Sequence, residues 1–181
     1  MATKDIMTPV FRVSFPEVFK AKAAEEGGEP KFSISMLFEK GEDLSRMQNL
    51  LLEAAKEKWG DDVNVKSLRR PFRDQGEKEI SGYVDGAYFA SASSKQKPAV
   101  VDEDVEPILD QNDFYAGCYA QAKVHAYAWD NKYGKGVSFG LGNIQKVRDG
   151  ERLGGRAQSD PKEDFAPVQT QDADAMADMM G

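Results

Sequence analysis

The sequence predicts a mainly β domain, a small antiparallel barrel of about five strands with one helix and long loops. Three observations carry this expectation. Several short runs alternate apolar and polar residues with a period of two. A single stretch shifts to a helical period. Strands and helices do not alternate along the chain, so the pattern does not suit a parallel βαβ sheet. The chain has 181 residues with 10 Phe, 6 Tyr and 2 Trp, enough to fill one core and leave a tail.

The elements follow in order. In VFRVSFPEVF (10–19), Phe11, Val13 and Phe15 alternate as one face of a strand, which Pro16 ends or bulges. KFSISMLF (31–38) sets Phe32, Ile34, Met36 and Phe38 against Ser33 and Ser35, and the two segments read as an antiparallel pair. Residues 43–59 form the one helix: Leu44, Met47, Leu51 and Ala54 or Ala55 make its stripe, Asp43 marks its start and Gly60 its stop. Trp59, at its end, reads as packing rather than binding. Residues 61–82 are a basic loop. YVDGAYFASASS (83–94) is a strand broken near Asp85-Gly86, and KPAVVD (97–102) is a short one. Two long strands, 114–129 and 136–148, are joined by the turn DNKYGK. From Gly150 onward the hydrophobic pattern is lost.

Several function classes lack their residues. The N-terminus has no apolar h-region, and no uncharged apolar run approaches the ~18 residues of a membrane span. One cysteine, Cys118, excludes a disulfide scaffold and a thiolate zinc cluster and fits a reducing compartment. Cys118 and the one histidine, His125, stand seven apart in a strand and so on opposite faces, which does not pair a nucleophile with a base. GKGVSFGLG (134–142) is neither a P-loop nor a dinucleotide fingerprint. The acidic run Asp102, Glu103, Asp104, Glu106, Asp110 and Asp113 lacks the central glycine of a calcium loop and reads as a solvated connector. The expectation is a cytosolic protein without catalytic activity, cofactor, metal or membrane.

The last hairpin carries the sharpest signal. In residues 115–129 the even positions are small and apolar. The odd positions carry Tyr115, Tyr119, Tyr127 and Trp129, with Lys123 and His125 among them. A turn centred between Lys132 and Tyr133 sets Ala126 against Phe139 and Val124 against Leu141, small against large, as a filled core requires. On the other face Trp129, Tyr127 and Lys123 meet Gly136, Ser138 and Gly142, and Ile144, Lys146 and Arg148 share that parity. Flat rings over glycines, interleaved with lysines, suit stacking of unpaired bases beside a phosphate path. The plain alternative is aromatic rescue of glycines in a solvent-facing sheet.

The charge divides along the chain. The formal net charge of −7 argues against a nucleic-acid partner when taken whole. Residues 63–101 carry net +3 and residues 114–158 net +4, whereas residues 159–181 carry net −5. The segments that hold the aromatics are therefore positive. An acidic tail can occupy a basic groove when DNA is absent, or simply solubilise the chain.

The blocks GYVDGAYFASASSKQKPAVVD (82–102) and FYAGCYAQAKVHAYAWDNKYGKGVSFGLGNIQKVRDGERLGG (114–155), with the acidic end, resemble a bacteriophage family of single-stranded DNA-binding proteins, long catalogued as a domain of unknown function. The resemblance implies an OB-fold barrel over residues 1–155, an acidic flexible tail over 156–181, sequence-independent binding of single-stranded DNA, and a role in phage replication or recombination in the bacterial host cytoplasm. The tail ends in ADMMG rather than in Phe, and its expected partner-binding residues are Asp172, Asp174, Asp178, Met179 and Met180. These would engage phage or host replication and recombination proteins; oligomeric state is left open. Candidate stacking residues are Tyr83, Tyr88, Tyr115, Tyr119, Tyr127 and Trp129. Candidate phosphate contacts are Arg69, Arg70, Arg73, Lys95, Lys97, Lys123, Lys132 and Lys135. Two rivals stand beside this reading. One is a protein-interaction or virion-associated β-domain that uses the aromatic face as a protein interface. The other is an enzyme of nucleic-acid metabolism, such as a nuclease subunit, which would need clustered carboxylates on strands.

Overall fold

The computed structural model describes residues 2–23, 26–80, 82–153 and 165–168. The partner-binding candidates Asp172, Asp174, Asp178, Met179 and Met180 lie outside the described residues, as does nearly all of the expected tail. The strands are β1 (Ile6–Met7), β2 (Phe11–Lys22), β3 (Lys31–Leu37), β4 (Arg73–Asp74), β5 (Tyr88–Ser94), β6 (Val100–Val101), β7 (Tyr119–Asn131) and β8 (Gly134–Arg148). One α-helix, α1 (Ser45–Trp59), lies between β3 and β4. No helix among the described residues is long and apolar enough to cross a membrane.

Five strands close on themselves in the order β7-β2-β3-β5-β8 and back to β7. In chain order this is the 1-2-3-5-4-1 connectivity of an OB-fold barrel. Four of the five pairings are antiparallel, as expected. The fifth, β5 with β8, is parallel, through Ala92–Phe139 and Ser93–Gly140. It has to be: β5 is the third barrel strand and β8 the fifth, so both run the same way.

The interior is filled by the face that the alternation marked. Val13, Ile34, Met36, Ala90, Ala92, Ala120, Ala122, Val124, Ala126, Phe139 and Leu141 are all buried. Phe139 faces Ala126 on β7 and Ala92 on β5, so one large ring fills the space left by two methyl groups. Phe72 meets that ring edge-on at 5.6 Å. Helix α1 adds Met47, Leu50, Leu51, Ala54 and Ala55 to the same core. Asp43 Oδ1 accepts the Ser45 N–H at 3.0 Å, and Gly60 ends the helix at φ 90°, a conformation that favours glycine.

The elements differ from the alternation in a few places, each with a local cause. Residues 83–87 form a turn rather than strand, and strand 97–102 shortens to Val100–Val101. The last hairpin slips register between Ala122 and Val124, so Ala122 pairs with Ile144. Ile144 is therefore buried, although its parity with Gly136 and Ser138 assigns it to the outer face. Gly117, at φ 113°, bends the chain before β7, so Tyr115 does not share its alternation.

Buried Gln75 locks the 83–87 turn to the barrel. Its Nε2 donates to the carbonyls of Phe38 and Tyr88 at 2.9 Å each, and its Oε1 accepts the Val84 N–H at 2.9 Å. Gln75→Ala should cost about 2–4 kcal/mol, because three backbone groups lose a partner. Urea unfolding of the variant against the wild type measures this.

Candidate nucleic-acid interface

The tip of the β7–β8 hairpin follows the register that a two-residue turn imposes. Asn131 pairs with Gly134, Trp129 with Gly136, Tyr127 with Ser138 and His125 with Gly140. Asn131 Oδ1 accepts the Tyr133 N–H at 2.8 Å and fixes the turn. The indole of Trp129 lies over Gly136 and donates from Nε1 to Ser138 Oγ at 2.9 Å. The His125 ring covers Gly140 in the same way, and the Tyr127 ring stands 6.4 Å from it, tilted by 45°. His125 Nδ1 is 3.4 Å from Asp5 Oδ1.

Basic side chains gather at this tip. The 68–70 segment pairs with β8: the Arg69 N–H donates to the Lys135 carbonyl at 2.9 Å, and the Val137 N–H donates to the Arg69 carbonyl at 2.9 Å. Arg69, exposed, is thereby fixed beside exposed Lys132 and Lys135. Tyr133, 62 % exposed with the Lys132 ammonium 5.0 Å from its ring centre, belongs here too. The sequence pattern marks Tyr133 only as a turn residue and gives no sign of this exposed ring. Lys123 is exposed at the register slip, against Gly142.

Beside the aromatic strand lies a band of small residues. Ser33 pairs with Ser93 and Ser35 with Ser91, while Ser93 also pairs with Gly140. Ser35 and Ser91 share a hydrogen bond between their hydroxyls at 3.1 Å. The band thus runs from β3 across β5 to Ser138 and Gly140 of β8, where it meets His125, Tyr127 and Trp129. Low side chains beside tall rings leave room for a flat ligand. The face of the second and third strands and the loops flanking it is where OB folds bind oligonucleotides.

The other candidates take different places. Tyr119 lies between two guanidinium groups, Arg148 at 4.1 Å and Arg12 at 6.0 Å from its ring centre. Tyr115 carries Arg152 at 4.2 Å and Lys146 at 5.3 Å, and its hydroxyl donates to Asp149 Oδ1 or to the Gly150 carbonyl. These clamps occupy ring faces that the sequence left open, and Arg12 and Arg152 were not foreseen as partners. Lys146 and Tyr115 both bond Asp149, and these bonds hold its carboxyl below the ordinary aspartate value. Tyr83 shares a 2.8 Å hydrogen bond with Ser14 Oγ and packs on Phe89 at 5.7 Å, and burial pushes its phenol up. Tyr88, 51 % exposed, and Arg70 line a groove of about 610 Å³ between α1 and residues 65–72. Arg73 is held by Glu77 at 3.0 Å and Lys95 by Glu29 at 3.4 Å, while Lys97 is exposed. Cys118 is buried and its thiol is pushed up by burial, which keeps it protonated and unreactive.

A barrel of OB connectivity, with aromatics standing over glycines beside a basic loop, is an arrangement suited to unpaired nucleic-acid strands. The sequence profile of the single-stranded DNA-binding protein of Enterobacter phage Enc34 matches residues 4–177, and the chain belongs to that family. Protein p50 of Acyrthosiphon pisum secondary endosymbiont phage 1 is 33 % identical over 155 residues, covering 80 % of this chain and 83 % of p50. The single-stranded DNA-binding protein of bacteriophage Enc34, solved in complex with single-stranded DNA, superposes with a TM-score of 0.67 at 25 % identity, covering 83 % of this chain and 89 % of its own. The fold also matches gp2.5, a single-stranded DNA-binding protein of bacteriophage T7, with a TM-score of 0.62 at 14 % identity over 89 % of this chain and 98 % of that one.

Two outcomes test this geometry. A Cβ at Gly136 would come within 2.5 Å of the Trp129 ring and 2.8 Å of the Arg69 carbonyl. Gly136→Ala should therefore cost about 1–3 kcal/mol and shift the emission of Trp129, as fluorescence-monitored unfolding would show. The lowered Asp149 pKa contributes stability that is complete above the ordinary aspartate value and is lost as pH falls through the folded value. The difference in Tm between wild type and Asp149→Asn should accordingly be present at neutral pH and close in acid.

Proposed function

We propose that this chain binds single-stranded DNA without regard to sequence, on the outer face bounded by the β7–β8 hairpin. The observation that carries the reading is the hairpin tip, where Trp129 and Tyr127 stand over Gly136 and Ser138 with Arg69 tied to the same strand by backbone hydrogen bonds. The family relative solved with single-stranded DNA supports it. Bases stack on Trp129, Tyr127 and Tyr133, each contributing on the order of 1–3 kcal/mol without demanding a sequence. Arg69, Lys132, Lys135 and Lys123 neutralise phosphates, and Lys95 and Lys97 extend the positive path. Tyr88, Arg70 and Arg73 flank the path near α1. Tyr83, Tyr115 and Tyr119 shape its margin, the last two through the arginines stacked on them.

The protein works as a stoichiometric binder and not as an enzyme, protecting strands during phage replication or recombination in the host cytoplasm. The acidic residues Asp172, Asp174 and Asp178, with Met179 and Met180, compete for the basic face when DNA is absent. Once displaced, they recruit replication or recombination proteins.

Titration with oligo(dT) tests the reading. The logarithm of affinity should fall with the logarithm of salt concentration by roughly 0.7 per phosphate neutralised, and a salt-independent affinity would sink the electrostatic half. In Trp59→Phe, oligo(dT) should quench the emission of Trp129, and Trp129→Ala should weaken binding roughly 5- to 100-fold. Unchanged emission on saturation counts against the hairpin as platform. Removal of residues 159–181 should raise affinity at low salt, and a fall would show that the tail is no competitor.

A further inference from the structure

The alternation in the first barrel strand assigns Phe15 to the core beside Phe11 and Val13. The structure turns it out. Phe15 is 55 % exposed and adopts φ 45°, the left-handed region that L residues avoid. The cause is a bulge. Ser14 pairs with Ser35 and Glu17 with Ser33, so Phe15 and Pro16 together stand against Ile34 alone. Glycine is the usual occupant of the left-handed position in such a bulge.

The bend itself serves the barrel, because it lets β2 pair with β7 at Phe11 and Arg12 and with β3 along its length. Glycine would allow that bend with less strain and with no phenyl in solvent. Single exposed apolar residues are common, but one held in a strained conformation asks for a reason, and such strain collects where ligands are gripped. The location supplies the reason. Strand β2 borders β3, and the Ser14–Ser35 pair next to Phe15 leads straight into the serine band through Ser35 and Ser91. Phe15 stands at the β2 margin of the band whose other margin is β7 with Tyr127 and Trp129. The nearby acid, Glu17, lies 3.7 Å from Lys22 and is charge-paired.

We propose that Phe15 is a base-stacking residue for single-stranded DNA, kept in a strained bulge so that its ring faces the strand crossing the serine band. The proposal rests on the reading of this face as the DNA interface. The ligand is any unpaired base, since a phenyl face contacts all four alike.

Three substitutions, Phe15→Gly, Phe15→Tyr and Phe15→Leu, separate strain from stacking when Tm and oligo(dT) affinity are measured at one salt concentration. Phe15→Gly should raise Tm by roughly 2–4 °C while weakening oligo(dT) roughly 5- to 100-fold. Phe15→Tyr should keep the affinity, and Phe15→Leu, with bulk but no flat ring, should lose it at an unchanged Tm. Wild-type affinity in the Leu or Gly variant overturns the proposal and leaves the hairpin reading standing. A wild-type protein that retains no oligo(dT) would bring down the reading of the whole face, and this proposal with it.

Discussion

The two-residue parallel contact between β5 and β8 is the joint on which the barrel depends. Without it the five strands form one open sheet in the order β5-β3-β2-β7-β8. With it, Ala92 and Ser93 meet Phe139 and Gly140, and the sheet closes. The contact is short, so each of its residues must suit both sides of the wall. Inside, the two small partners of Phe139, Ala92 and Ala126, make space for its ring. Outside, Ser93 against Gly140 keeps the surface low where His125 leans across. The same pairing thus packs the core and sets the serine band beside the aromatic strand.

Small residues serve two opposite purposes in this wall. Alanines at 120, 122 and 126 face inward, where they admit large neighbours at interior density. Glycines at 136 and 140 matter on the outward side, where Trp129 and His125 occupy the space a side chain would take. A ring resting on backbone is buried on one face and free on the other. That division holds the ring rigidly, so a group stacking on it would meet a ring already immobilised.

The hairpin was legible because two rules act together. Period-two alternation states which residues share a face, and a two-residue turn states which residues face each other. From Asn131–Gly134 down to Val124–Leu141 nothing else is needed. The helix was legible for a similar reason, with Asp43 and Gly60 marking its ends. Bulges were the failure. Gly142 looks like its neighbours at 136 and 140, yet the register slips there and buries Ile144. Pro16 announced an irregularity, but not that Phe15 would leave the core. The arginine clamps on Tyr115 and Tyr119 were equally hidden. Arg12 lies more than a hundred residues from Tyr119 in sequence, and only barrel closure brings the two together. Local pattern reaches one hairpin; contacts between distant strands wait for topology.

The short pairings at the rim have a consequence for crowding. Ile6–Met7 covers part of the β7 edge, Arg69 covers β8 near its start, and Val100–Val101 covers it near its end. Unpaired backbone at a sheet edge recruits further strands from any neighbour, and the hazard rises with local concentration. Many copies laid along one polymer would meet at concentrations far above those in bulk solution. With these edges capped by two-residue strands of their own chain, neighbouring barrels offer little open backbone to one another, so dense packing need not become fibre growth.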